Sequence, residues 1–366
     1  MSKLIVEVCK IENIAKHPNA DRLSIVTVKG WNCIVSLDQY KVGDLVVYCP
    51  PDSVIPNDII EKYSLEFLKK NGRVGTIKLR KYISQGLILS MDCLPGAVIG
   101  TKGFHPGYNT GMDVAKKLGI TKYEVPIPTF QRFQSKRPTK KKRNPLFDKY
   151  TDIDNIKNYK EVFKEGELVV ITEKIHGTNF RAGELLRYQD HLWGKIKAFL
   201  FGKYEFVYGS HNVQLLSSNK KKTFYGENVY GRIAKKYNLA EIIPEDYIVY
   251  GEIYGKGIQD LEYGKEDIDM VVFDVKYKGN YLNWEEVVEF CLYRQLPTVP
   301  ILTIEEFKKD LVLTYTDGAS KICATQVREG CVIKPVKEEN DIRIGRKILK
   351  SVSEKYLLRK GGTEYK

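Results

Sequence analysis

One stretch divides this sequence. Residues 101–150 carry 12 basic and 3 acidic side chains, net +9, whereas residues 1–100 carry +3 and residues 151–366 only +1. Its densest piece, Lys136-Arg137-Pro138-Thr139-Lys140-Lys141-Lys142-Arg143, has no apolar periodicity and lies among Pro126, Pro128 and Pro145. Like charges at this density repel and proline removes backbone donors, so this piece reads as a solvated connector. A chain of 366 residues interrupted in this way is expected to fold as two bodies. The expected boundaries are 1–103, a basic connector over 104–150, and 151–366. Three readings of the connector's charge stay open: a soluble linker, a nuclear-import signal, or a segment that follows a phosphate backbone through Lys140, Lys141, Lys142 and Arg143.

Hydrophobic residues at 43% and aromatics at 11% are enough for real cores, which excludes a disordered or collagenous chain. No apolar run reaches about 18 residues, so no membrane span or membrane partner is expected. The N-terminus, MSKLIVEVCKIENI, lacks a signal-peptide layout. The 7 cysteines include no C-x-x-C, which argues against a zinc ribbon or a disulfide framework and fits a reducing compartment. An intracellular, cytoplasmic location is expected, with the nucleus as the alternative. The pI near 9.1 points to an anionic partner.

Before the connector, short Val- and Ile-rich runs separated by turns (LIVEVCKI, LSIVTVKG, WNCIVSL, DLVVYCP, TIKLRKY, GLILSMD) predict a small β-barrel or sandwich. Between the first two runs, His17-Pro18-Asn19-Ala20-Asp21-Arg22-Leu23 resembles the signature of OB-fold nucleic-acid-binding domains of the tRNA-binding type. The same residues are also ordinary turn formers. Lys78, Arg80 and Lys81 flank Tyr82, a mixture of cations and an aromatic that suits a groove following a nucleic-acid backbone.

After the connector, strands (LVVITEKI, YIVYGEIYG, MVVFDVKY, CVIKPV) alternate with helical stretches expected at 284–294 and 304–310, an α+β pattern. The piece 182–208 reads as a hairpin-like or helical insertion. Glu173-Lys174-Ile175-His176-Gly177-Thr178-Asn179 is the strongest chemical signal. A lysine directly after a strand, followed by a polar residue and Gly, is what covalent nucleotidyl transfer uses. The amine attacks an α-phosphate and must be neutral to do so, while Gly177 allows a tight turn. Downstream, Glu252 sits between glycines at the end of an apolar strand, placed to accept hydrogen bonds from a ribose. Phe273 offers a ring for a purine. In Glu329-Gly330-Cys331-Val332-Ile333-Lys334-Pro335, strand alternation puts Glu329, Cys331 and Ile333 on one face and Val332 and Lys334 on the other. Lys350 follows 21 residues after Glu329.

This ordered set resembles the nucleotidyltransferase motifs of the covalent-lysine superfamily of DNA ligases, RNA ligases and mRNA capping enzymes. EKIHGTN, with His176 where DNA ligases and capping enzymes usually have Asp, is similar to the nick-sealing RNA ligase 2 family. HPNADRL, GDLVVYCPPDSVIP, TIKLRKYISQG and Asp113–Ile120 resemble the branch with an N-terminal OB domain. The resemblance implies an α+β chain: a small OB-like β-barrel, then an ATP-grasp-like nucleotidyltransferase domain. It implies ATP, Mg²⁺ (or Mn²⁺), and RNA as partner, as a nicked duplex, broken ends or an RNA–DNA hybrid, bound by a monomer. It implies Lys174 as the adenylylated nucleophile, Glu173 against adenine, and His176 and Asn179 near the α-phosphate and metal-bound waters. Glu252 would bind ribose, Phe273 would stack on adenine, Glu329 would hold the hydrated metal, and Lys334 and Lys350 would neutralise phosphate. Two positions depart from the pattern. His211 stands where Arg is common, and Val352 where a second lysine is usual. The competing readings are a capping guanylyltransferase, a DNA ligase and a non-catalytic tRNA- or RNA-binding protein.

Overall fold

The computed structural model describes residues 4–96, 107–123, 144–187, 203–216 and 228–359. The chain divides into two compact units, residues 1–136 and 137–366. The basic run 136–143 lies outside the described residues.

The first unit contains β1 (Glu7–Lys10), β2 (Asn13–Lys16), β3 (Leu23–Val28), β4 (Trp31–Ser36), β5 (Leu45–Cys49), β6 (Ser53–Val54), α1 (Asn57–Lys62), β7 (Thr76–Leu79), β8 (Tyr82–Gln85), β9 (Leu87–Ser90) and β10 (Thr121–Lys122). Strands β1, β5 and β9 form one sheet, β2, β3 and β4 another. Strand β5 is apolar throughout because both of its faces are covered. Val46 and Tyr48 join Val26, Trp31 and Ile88 in one cluster. Val47 and Cys49 join Ile59, Ile60 and Leu89 in a second. That second cluster also takes in Tyr108, Val114, Leu118 and Ile120. Part of the expected connector therefore packs on the first core, through buried apolar residues interspersed with its exposed lysines.

TIKLRKY is not one strand but a hairpin. Strands β7 and β8 reverse at Arg80 (φ 44) and Lys81 (φ 78), both in the left-handed region that a two-residue hairpin turn requires. The HPNAD segment braces this turn. Asn19 donates from Nδ2 to the Arg80 carbonyl at 3.0 Å, and Arg80 donates from Nη1 to the Asn19 carbonyl at 3.1 Å. The His17 ring meets the Tyr82 ring edge-on at 5.0 Å. Lys78, Arg80 and Lys81 thus sit together on one braced hairpin.

The second unit holds β11 (Asp154–Asn155), β12 (Leu168–Lys174), β13 (Thr178–Leu186), β14 (Tyr204–Gly209), β15 (Gln214–Leu216), α2 (Val229–Lys236), α3 (Leu239–Ile242), β16 (Tyr247–Gly255), β17 (Ile268–Tyr277), β18 (Asn280–Tyr281), α4 (Trp284–Tyr293), β19 (Ile301–Glu306), α5 (Leu311–Thr316), β20 (Gly330–Pro335), β21 (Asn340–Asp341), β22 (Gly345–Arg346), β23 (Leu349–Val352) and α6 (Glu354–Leu357). One sheet runs β11-β23-β20-β12-β19, the other β15-β14-β13-β16-β17-β18. Alternation sorts their side chains. On β20, Cys331 and Ile333 enter a core with Val169, Ile171 and Leu349, leaving Val332 and Lys334 for the opposite face. On β16, Val249 and Ile253 pack in the largest core, which also holds Ile233 of α2 and Val287 of α4.

The helix expected at 284–294 forms as α4, closed at its start by a capping box of Asn283 and Glu286. The helix expected at 304–310 does not. Ile301–Glu306 is strand β19, paired with β12 through Ile304↔Val170 and Glu306↔Leu168. Pairing on an exposed sheet edge overrides the helical preference of the glutamates there. The ends of the 182–208 piece form a hairpin of β13 and β14, with Leu186 opposite Tyr204; residues 188–202 lie outside the described residues. Residues 144–150 pack into this unit, with Phe147 and Tyr150 beside Tyr250 and Ile348.

Candidate active site

Between the two sheets of the second unit lies a cavity of about 240 Å³. One sheet contributes Thr172, Glu173 and Lys174 from β12, Val332 and Lys334 from β20, and Lys350 from β23. The other contributes Asn179 from β13, Glu252 from β16, and Phe273 and Asp274 from β17. Phe273 and Asp274 are neighbours in sequence, yet both face the cavity. Tyr250 pairs with Asp274 and Gly251 with Val272, which leaves Phe273 as the extra residue of a β-bulge. The bulge re-aims one side chain that strict alternation would have sent to the opposite face.

At one end, Lys174 closes strand β12 and its Nζ lies 2.7 Å from Glu329 Oε1. Glu329 enters from the residue before β20. Gly330 is required there: at φ 154, a Cβ would stand 2.0 Å from the Ser351 carbonyl oxygen of β23. The second Glu329 oxygen, Oε2, and Asn179 Oδ1 are buried without a hydrogen-bond partner among the described residues. Gly177 matters for a different reason than the expected turn. Its position where a Cβ would fall is 2.1 Å from the Ile253 carbonyl oxygen, so only glycine lets the lysine loop close onto β16. Glu252, next to Ile253 and opposite Asn179 in the β13–β16 register, has its carboxyl pushed up to about 8, chiefly by burial and against the pull of Lys174. Glu173 Oε2 accepts the Lys321 backbone N–H at 2.7 Å; burial raises its pKa as well.

His176 is not in the cavity wall. Its ring points away, with Nε2 2.7 Å from Asp260 Oδ1 and Nδ1 2.8 Å from the Tyr356 hydroxyl. Burial pushes the imidazole pKa down, with Glu329 and Asp260 opposing.

At the other end the charges are paired. Lys334 Nζ lies 2.5 Å from Asp274 Oδ1, and Arg346 Nη1 lies 2.9 Å from Asp274 Oδ2. The Tyr150 hydroxyl donates to Asp274 Oδ2 at 2.5 Å, and Glu338 binds both Arg346 and Lys334. Burial works to raise the Asp274 pKa, but Arg346 and Lys334 hold it below the usual carboxylate range. Reasoning from sequence missed Asp274, Arg346 and Tyr150. The available signal was an aspartate inside the apolar run MVVFDV, which needs a buried partner.

His211 also lines the cavity, its Nε2 3.8 Å from Oδ1 of Asp152, another lining residue. Val352 lies on the same face of β23 as Lys350. Lys347 lies outside the cavity wall, held by Glu167 at 2.5 Å and Glu339 at 3.1 Å, and Lys355 is exposed on α6. Among the described residues, no group of three or more His, Cys, Asp or Glu side chains is arranged to hold a metal, and no helix is long and apolar enough to cross a membrane.

A family model of RNA ligases matches residues 167–352, and a model of an OB-fold domain matches residues 5–91. No curated protein sequence matches the chain. Among solved structures, a Naegleria gruberi RNA ligase variant with AMP and Mn is 24% identical, covering 96% of this chain and 98% of its own, at a TM-score of 0.67. An apo variant of that ligase is 25% identical over 96% and 97% of the two chains, also at 0.67. A variant with ATP and Mn is 24% identical over 97% and 98%, again at 0.67. With an OB-fold domain before a two-sheet unit whose residues 167–352 match the family, the chain belongs to the RNA ligases.

Proposed function

We propose that this chain is an ATP-dependent ligase that joins a 3′-hydroxyl to a 5′-phosphate of RNA, acting as a monomer at nicks in a duplex. The observation that carries the reading is Lys174, presented at the end of β12 into a cavity between two sheets and paired with Glu329 at 2.7 Å. The ATP and AMP held by the structural relatives support the choice of nucleotide.

In this reading Lys174 attacks the α-phosphate of ATP and expels pyrophosphate, leaving AMP on the amine. AMP then passes to the RNA 5′-phosphate through a 5′–5′ linkage, and a 3′-hydroxyl displaces it. Phe273, turned inward by its bulge, stacks on adenine, and Glu252 accepts from the ribose. Glu173 fixes the base end of the cavity. Lys350 and Lys334 neutralise phosphate charge, Lys334 after sharing its ammonium with Asp274. Positioning and charge carry most of the acceleration. Glu329 Oε2 and Asn179 Oδ1 fit the water shell of a Mg²⁺ or Mn²⁺ ion, whose charge beside the phosphates favours the neutral amine. In the first unit, Lys78, Arg80 and Lys81 on their braced hairpin contact the RNA backbone, and Lys140–Arg143 add to it.

Incubation with each α-labelled nucleotide and Mg²⁺, followed by denaturation, tests the reading. Acid-labile label from ATP, and sealing of a nicked RNA duplex, are expected. Label from GTP alone would mean a capping reaction, and no label from any nucleotide would remove the enzymatic reading.

A further inference from the structure

His176 stands two residues after the nucleophile, and both of its ring nitrogens are committed. Asp260 takes Nε2 at 2.7 Å, while its other oxygen accepts Arg359 Nε at 3.0 Å and Nη2 at 2.7 Å. Burial works to raise the Asp260 pKa, but Arg359 and His176 hold it below the usual carboxylate range. An anionic Asp260 can only accept, so a neutral His176, which its burial favours, carries its proton on Nε2 and leaves Nδ1 to accept the Tyr356 hydroxyl at 2.8 Å. Arg359 closes the circuit: its guanidinium lies 3.6 Å over the Tyr356 ring and donates to the Tyr356 carbonyl at 2.6 Å.

Three chain segments meet at this imidazole. The lysine loop supplies His176, whose backbone N–H donates to the Tyr263 hydroxyl at 2.7 Å. The loop after β16 supplies Asp260 and Tyr263. The segment after β23 supplies Tyr356 and Arg359, and its Ser353 N–H donates to the Glu329 carbonyl at 2.9 Å. His176 Nδ1 is also 4.0 Å from Glu329 Oε2. The imidazole therefore backs the Lys174–Glu329 pair, and the segment after β23 touches both the imidazole and the backbone of Glu329.

We propose that Asp260, Tyr356 and Arg359 are positioning residues for the charging of Lys174, acting through His176. They fix the ring in one tautomer and one rotamer, which sets where the lysine loop holds the amine relative to Glu329. Docking of residues 353–359 is then a condition for nucleotide transfer. The proposal rests on the ligase reading above.

The test uses Tyr356→Phe, which keeps the ring under Arg359 and deletes only the hydroxyl, and Asp260→Asn. Each is made in the full chain, alone and with His176→Ala. Single-turnover labelling from ATP is measured at several ATP concentrations, with a melting curve for every sample. Each single variant is expected to slow charging about tenfold, since small misplacements of a reacting group have effects of at least this size. Half-saturating ATP should change less than about threefold. In the His176→Ala background neither change should slow charging further, because residues acting through one group are not additive. Equal losses in both backgrounds would overturn the proposal, and so would wild-type rates in the single variants. Nitrogen NMR of His176 gives a readout independent of activity: Nε2–H is expected, and Nδ1–H would contradict the lock. Should the wild-type protein take no label from ATP, the ligase reading fails, while the tautomer still reports on the lock.

Discussion

The two ends of the cavity are built on opposite terms. Around Asp274, Lys334 and Arg346 every carboxylate meets a cation and a tyrosine hydroxyl fills in. Around Lys174 the pairing is incomplete: Glu329 uses one oxygen on the lysine, and its second oxygen, 4.0 Å from the His176 ring, and Asn179 Oδ1 have no hydrogen-bond partner among the described residues. Burying a polar atom without a partner is costly, so the first end reads as scaffold and the second as a place where partners arrive with the nucleotide. Two lysines on neighbouring strands thus have unlike duties. Lys334 is bound to Asp274 of the facing sheet and, in the proposed reaction, faces phosphate from there, whereas Lys174 is paired with Glu329 at the end proposed to take the nucleotide.

The largest test of this contrast falls on the scaffold end. Asp274→Ala leaves Lys334 and Arg346 buried without their shared anion, and breaking a buried pair costs about 3–5 kcal/mol. Urea unfolding should show that loss; a variant within about 1 kcal/mol of wild type would make this end no more structural than the other. At the lysine end, Glu329→Ala should do the reverse. Labelling from ATP is expected to fall about a hundredfold, about 2.7 kcal/mol in barrier, with little change in the melting curve. A comparable loss of stability would erase the distinction.

Glu252, on the lysine side of the cavity, makes stability depend on pH. Its carboxyl titrates near 8 in the folded protein against 4.5 for the ordinary group, so between those values the native state holds a proton the unfolded chain has released. Stability from this group is full below about pH 4.5 and is lost as pH rises through 8. Glu252→Gln cannot titrate, so its melting temperature should gain on the wild type steadily across that window and run parallel to it outside. A constant difference at all pH values would mean that folding leaves the carboxyl's titration unchanged. The smallest effect concerns the first unit. Neutralising Lys78, Arg80 and Lys81 should weaken RNA binding and reduce its salt slope by about one for each phosphate these cations neutralise, leaving lysine labelling unchanged. The same change at Lys140–Arg143 distinguishes an RNA-binding segment from a soluble linker.

Much of this contrast is readable from sequence at the lysine end and almost none of it at the other. Lys174, Glu252, Glu329 and Lys350 stand out because each is a charged residue within or beside an apolar run, and alternation on β20 puts Lys334 on the cavity face. The scaffold end depends on distant pairings. Asp274 reaches its place through a bulge that a period-two reading cannot foresee, and Arg346 comes from a hairpin 72 residues away. The same limit applies to Tyr356 and Asp260, 180 and 84 residues from His176. Local preference also misleads at Ile301–Glu306, where edge pairing makes a strand of residues that favour helix, and at Arg80–Lys81, where a brace from Asn19 supports a turn lacking the usual glycine.

In the proposed reaction Lys174 itself carries the nucleotide. The protein is incubated with ATP and Mg²⁺, denatured under conditions that preserve the phosphoramidate, digested, and its peptides weighed. An AMP adduct on Lys174, absent from Lys174→Ala, is the predicted result. An adduct on any other residue, or labelling that survives Lys174→Ala, would contradict it.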